Sequence, residues 1–181
     1  MHRLWLPCLM AMLALPVTSQ ASESPYVAES AQPIKALPPA RVEGLLAGQG
    51  LGYAKAAELN GYPGPKHVLE LAEALQLSSE QRRQTEALYA RMAVAAQELG
   101  ARLVEAEGVL DRSFADRSMT DGDLVNQLKR IGQLESSLRA VHLQAHLEQT
   151  QILDEGQRRL YIELRGYADS GRSQPEHTHS H

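Results

Sequence analysis

Two histidines, His142 and His146, stand four residues apart in a stretch whose hydrophobic period is helical. Side chains at this spacing lie one above the other on a helix face, so both imidazoles can reach one ion. Zn²⁺ binds imidazole nitrogen at about 2.0–2.1 Å, and other divalent transition metals accept the same ligand. Glu135 lies on the same helix flank and could add a carboxylate. Histidines beside a helix seam often only pack and hydrogen-bond, so the spacing alone leaves both interpretations open.

A second set of histidines lies at the end of the chain. His177, His179 and His181 alternate within residues 169–181, a polar segment that we interpret as a flexible tail. Three neutral imidazoles on such a segment can chelate Zn²⁺, Cu²⁺ or Ni²⁺. Their affinity should fall as the pH drops through about 6.5, because protons compete for the same nitrogens. His67 opens a helix, and we expect it to be solvated rather than to bind a metal.

These histidines do not form an enzyme motif. In the sequence HLQAH, Leu143 occupies the position at which H-E-x-x-H proteases carry their catalytic glutamate. The chain contains no G-x-S-x-G motif and no recognisable arrangement of nucleophile and base. A net charge of −4 and an aromatic content of 4% give no support for nucleic-acid binding. We therefore predict a protein that is not an enzyme.

Residues 1–21 have the features of a secretory signal peptide. Arg3 gives a positive start, an apolar run follows as far as Val17, and small residues precede a cleavage site after Ala21. The apolar run is shorter than the roughly 20 residues that cross a bilayer. An uncleaved membrane anchor is the alternative. Cleavage removes the only cysteine, Cys8, so we predict a periplasmic protein without a membrane span and without thiol ligands.

The remaining chain is predicted to be helical almost throughout. Residues 22–40 form an extended leader rich in Ser, Pro and Ala, and residues 41–168 form the helical domain. Apolar residues at spacings of three and four predict long helices over 79–113 and 121–151, joined by a short polar connection. The predicted fold is therefore all-α, with a long antiparallel helical hairpin and shorter flanking helices. Leu143 lies on a second apolar face, which the 41–75 segment, a partner chain or a client could cover.

The starts of two predicted helices share one pattern, in which a capping residue follows Leu and Gln stands three residues later. The first is Leu77-Ser78-Ser79-Glu80-Gln81, and the second is Leu153-Asp154-Glu155-Gly156-Gln157. Two such boxes flanking a long hairpin in an exported helical chain resemble the periplasmic LTxxQ family, with Ser78 and Asp154 in place of the motif's Thr. The stretches 57–72 and 138–157 are also similar to a branch of periplasmic heavy-metal sensor and resistance proteins.

This resemblance covers about 45–168, and it implies a bent helical bundle that often dimerises into a cradle. It also implies one of two activities, which are ATP-independent chaperoning of the Spy and CpxP type or ZraP-type zinc binding linked to envelope stress. The chaperone cradle of Spy-like members is basic, whereas loss of Arg3 takes the charge of this chain from −4 to −5. We therefore predict a periplasmic protein of heavy-metal sensing, resistance or envelope stress that binds zinc or another divalent metal (Cu, Ni, Co). A Spy- or CpxP-like chaperone or stress adaptor is the alternative.

The resemblance also suggests partners and further ligands. We expect a homodimer or higher homo-oligomer, with unfolded client proteins or an envelope-stress sensor as further candidates. Two histidines on one helix need a third and fourth ligand. Glu135, another helix, the tail or a dimer partner could supply them.

Overall fold

A computed structural model of the protein describes residues 24–168, and within that range the chain is helical and contains no strand. The all-α prediction is therefore confirmed for this part of the chain. The predicted signal peptide (1–21) and histidine tail (169–181) lie outside the described residues. None of the helices within 24–168 is both long and apolar enough to cross a membrane. The elements are a short 3-10 helix (Val27–Ala31) and six α-helices: α1 (Pro39–Leu46), α2 (Lys55–Glu58), α3 (Pro65–Glu70), α4 (Ser79–Ala115), α5 (Asp121–Ile152) and α6 (Glu155–Leu164).

The two long helices, α4 and α5, pack side by side along their apolar stripes. Leu103 and Leu138 are buried at this contact. Polar contacts give the relative direction of the two helices. The Gln149 amide donates to the Thr85 hydroxyl at 3.1 Å, and Gln127 donates to the carbonyl of Ala106 at 2.6 Å. The start of α4 therefore lies beside the end of α5.

The segment before α4 covers one side of this helix pair. α1 crosses α4 closely at Gly100, where the backbone of Leu45 lies against the glycine. Leu37 is 6% exposed and belongs to the same core, and Ile34 packs against it. The predicted leader over 22–40 thus contributes apolar side chains to the packed structure. Burying the side chains of Ile34 and Leu37 is favourable. The packed structure therefore begins before residue 41, where the helical domain was predicted to start.

The two predicted capping boxes are present and contact each other. The Ser78 side chain accepts from the N–H of Gln81 at 3.2 Å, and the Asp154 side chain accepts from the N–H of Gln157 at 2.8 Å. Each glutamine carbonyl accepts in return from the N–H of its capping residue. The two side-chain amides also hydrogen-bond to one another, at 2.8 and 3.0 Å. This glutamine clasp, formed by Gln81 and Gln157, joins the start of α4 to the start of α6.

We expect Gln81→Ala to lower the free energy of unfolding by about 2 kcal/mol, because it removes a capping bond, the clasp and the bond to the Ile152 carbonyl. Urea denaturation of the single and double variants with Gln157→Ala should give a coupling energy of about 1 kcal/mol. Gln84→Ala is the matched control, since Gln84 is exposed and bonds only within its own helix. Additive effects of the two clasp substitutions would show that the contact between them does not stabilise the fold.

Candidate functional site

The histidine pair of α5 lies on the wall of a cavity that is partly open to solvent. His142 is 3% exposed and His146 is 8% exposed. Both line a cavity of about 530 Å³, together with residues 47–51, Ala54, residues 64–67, Tyr89 and Met92. The two side chains therefore share one face of α5, as their spacing predicted. Short segments between α1 and α4 form much of the remaining wall.

His142 is held as a neutral imidazole with a free nitrogen. Its ring stacks on Tyr53, with the ring centroids 5.8 Å apart and the planes within 6°. The buried Nε2 atom has no hydrogen-bond partner among residues 24–168. Burial lowers the pKa of His142, and the proximity of His146 lowers it further. The neutral form is the one that binds transition metals.

His146 is oriented by a backbone carbonyl. Its Nδ1 lies 2.7 Å from the carbonyl oxygen of Tyr62, and because a carbonyl only accepts, Nδ1 carries the proton. The lone pair is then on Nε2, which is the usual arrangement in a metal-binding histidine. This ring packs against Gly64, where a Cβ atom would lie 2.9 Å from Nε2. Glycine at position 64 therefore leaves the space that the imidazole occupies.

Sequence analysis did not identify Glu58, which is 8% exposed and lies beside the pair. Its Oε1 atom accepts from the Tyr161 hydroxyl at 2.6 Å, the Tyr167 hydroxyl at 3.2 Å and Arg165 at 3.3 Å. Its Oε2 atom is buried, has no hydrogen-bond partner among the described residues and lies 3.7 Å from Nδ1 of His146. The carboxylate thus links the histidine pair to α6.

His67 and Glu135 have different surroundings from those expected. His67 lines the cavity, and its Nδ1 lies 3.3 Å from Oε1 of Glu58, so it is only partly solvated. Glu135 accepts from Arg41 at 3.0 Å and from the Tyr53 hydroxyl at 2.6 Å. Burial, followed by the hydrogen bond to Glu135, raises the pKa of Tyr53 to about 12, so this hydroxyl remains a donor. Glu135 therefore contacts the residue that stacks on His142 and does not itself line the cavity.

The lowered pKa of His142 makes the stability of the metal-free protein depend on pH. An unfolded histidine titrates at about 6.5, so between that value and the lower folded pKa the unfolded state binds more protons. The stability that the neutral His142 contributes to the folded state is fully present above about pH 6.5. It is lost as the pH falls toward the folded pKa. Urea denaturation with a chelator at about pH 7.5 and 5.5 should therefore show less acid destabilisation in His142→Gln than in the parent. Equal acid destabilisation of the two proteins would contradict this expectation.

Among residues 24–168, no group of three or more His, Cys, Asp or Glu side chains is assembled as a metal-binding cluster. His142 and His146 come together, whereas Glu135 is paired with Arg41 and Tyr53. His177, His179 and His181 lie outside the described residues.

In comparisons with known proteins, no family model, curated protein or solved structure matches this chain.

Proposed function

We propose that this chain is a periplasmic metal-binding protein that holds a zinc-like divalent cation at His142 and His146. One observation carries the proposal. Both imidazoles are more than nine-tenths buried on the wall of one cavity, and Nε2 of His142 has no partner among the described residues. Buried polar atoms in proteins are nearly always hydrogen-bonded, so a bound ion would satisfy this nitrogen. The role of the protein would be metal sensing, metal resistance or the envelope stress response.

The chemistry of the pair favours borderline metals. Neutral imidazole is a good ligand for Zn²⁺, Ni²⁺, Co²⁺ and Cu²⁺. The carbonyl of Tyr62 fixes the proton of His146 on Nδ1, which supports binding through Nε2. We also propose that α4 and α5 form an antiparallel hairpin and that a second copy completes a dimeric cradle. The contacts of Thr85 with Gln149 and of Ala106 with Gln127 support the hairpin.

A calorimetric zinc titration of the full chain tests the metal proposal when His177, His179 and His181 are replaced by alanine, so that only internal sites remain. We expect His142→Ala with His146→Ala to weaken zinc binding by more than about 100-fold, since it removes two direct ligands. Gln144→Ala with Glu148→Ala is the matched control, because these residues have the same spacing on the same helix and are exposed. Unchanged zinc binding in the histidine variant would remove the internal site.

A chaperone or stress adaptor is the second candidate function. The observation that favours it is a set of large apolar side chains on α4 and α5 that are about half exposed. These are Val94 (56%), Phe114 (56%), Val125 (51%), Leu128 (51%) and Leu147 (52%). Exposed apolar side chains can bind unfolded chains. Suppression of client aggregation without added metal would favour this function, and no suppression at excess protein would count against it.

A further inference from the structure

The cavity beside the histidine pair is much larger than a single metal ion requires. Its volume is about 530 Å³, and pockets for small organic ligands span roughly 300–1,000 Å³. A second cavity of about 390 Å³ shares Gly50, Leu51, Ala54, His67 and His146 with the first. An ion held by His142 and His146 would therefore leave room for an organic molecule next to it.

The protein side of the site also leaves coordination positions for such a molecule. Two imidazoles on one helix supply two of the four to six positions that divalent transition metals use. Both imidazoles line the cavity, so a ligand in the cavity is well placed to fill the remaining positions. His142 belongs to this wall, and its buried Nε2 atom has no hydrogen-bond partner among residues 24–168.

Another part of the wall has the chemistry to bind a carboxylate. Leu51 and Gly52 both have positive φ values, 41° and 81°, in a turn that borders the cavities. Successive backbone N–H groups in such turns form concavities that bind anions. The N–H groups of Gly50, Leu51 and Gly52 make no hydrogen bond to other residues in the 24–168 range. Lys66 also lines the larger cavity. Its side chain is 64% exposed and its ammonium group lies 3.6 Å from Oε1 of Glu70, so it would have to turn from Glu70 to bind a ligand carboxylate.

We propose that the metal occupies this site as a complex with a small carboxylate-bearing chelator, such as an α-amino acid. His142 and His146 bind the ion through nitrogen, and the chelator completes its coordination. The 50–52 turn and Lys66 bind the carboxylate. This inference rests on the proposed metal-binding function, and it adds the chemical class of the second ligand.

Equilibrium dialysis of the full chain with the three tail histidines replaced by alanine tests the inference. The probes are Ni²⁺ and labelled L-histidine, with labelled histamine as the control that chelates through the same amine and imidazole but lacks the carboxylate. We expect L-histidine to be retained only with Ni²⁺, and histamine to be retained at least about tenfold more weakly. Lys66→Ala should lower retention of L-histidine, whereas Lys129→Ala should not, because Lys129 is exposed on α5 and lines neither cavity.

The possible failures separate the two proposals. If L-histidine withdraws Ni²⁺ from the protein, or if histamine is retained equally well, the chelator is wrong and the metal site stands. If Ni²⁺ is not retained with or without L-histidine, the proposed metal-binding function is wrong as well. Retention of L-histidine that persists in His142→Ala with His146→Ala would show binding away from this site and would also overturn the inference.

Discussion

Gly100→Ala is expected to lower the free energy of unfolding by about 3 kcal/mol, because α1 crosses α4 at this residue. A Cβ atom at Gly100 would overlap the carbonyl oxygen of Leu45 and lie 2.8 Å from its carbonyl carbon. Both neighbours are backbone atoms, so no side-chain rotation can relieve the overlap, and α1 must move away. Gly48 makes a similar close approach, since a Cβ there would lie 2.9 Å from the carbonyl oxygen of Ala93.

Gly132→Ala is the matched control for this substitution. Gly132 lies within α5, and apart from the adjoining backbone of its own helix no described atom lies within 4 Å of the position that its Cβ would occupy. Alanine should therefore stabilise the helix there by up to about 1 kcal/mol. Opposite signs for the two variants in urea denaturation would establish that the effect of Gly100→Ala comes from the helix crossing. A loss below about 1 kcal/mol for Gly100→Ala would show that α1 is free to shift.

If the proposed metal site exists, the same substitution should also weaken it. α1 leads directly into the loop of residues 47–51, which forms part of the cavity wall beside His142 and His146. Displacement of α1 therefore moves that wall relative to the pair. Zinc titration of Gly100→Ala below its unfolding transition should show reduced affinity, while Gly132→Ala should bind as the parent does.

The long helices could be predicted from sequence because their signals are local. The apolar period and the caps predicted helices over 79–113 and 121–151, and the structure has Ser79–Ala115 and Asp121–Ile152. Thr120 caps the start of α5, where its hydroxyl oxygen accepts from the N–H of Asp123 at 3.2 Å. The helical domain was predicted to reach residue 168, whereas its last helix, α6, ends at Leu164. The chain turns at Gly166, which has a φ of 71°, a conformation that glycine adopts without strain.

The surroundings of the histidine pair could be predicted only in part. The shared face of His142 and His146 follows from helical geometry, which is a property of one segment. The contact between Glu58 and Tyr161 joins residues 103 positions apart, and no periodic pattern indicates it. Glu135 lies on the predicted flank, yet its carboxylate pairs with Arg41, which is 94 residues away. The missing information was therefore the packing of α1, α2 and α6 against the long helices.

Glu58→Ala is expected to lower the free energy of unfolding by about 3 kcal/mol. The substitution removes a buried carboxylate that accepts hydrogen bonds from Tyr161, Arg165 and Tyr167. The Tyr161 hydroxyl lies 2.6 Å from Glu58, and Tyr161 is fully buried, so it would lose its partner without gaining water. Arg165 would lose its carboxylate while remaining partly buried. Urea denaturation measures the loss, and Glu43→Ala, at an exposed residue of α1, is the control.

Smaller changes at the same carboxylate separate its hydrogen bonds from its charge. Tyr161→Phe removes one donor but leaves Tyr167 and Arg165 on Glu58, so we expect a loss of about 1 kcal/mol. Glu58→Gln keeps an acceptor for Tyr161 and loses the charge that faces Arg165, so its effect should lie between those of Tyr161→Phe and Glu58→Ala. If Glu58→Gln destabilised the protein as much as Glu58→Ala, the ion pair would dominate. If both were neutral, Glu58 would not join α6 to the histidine pair.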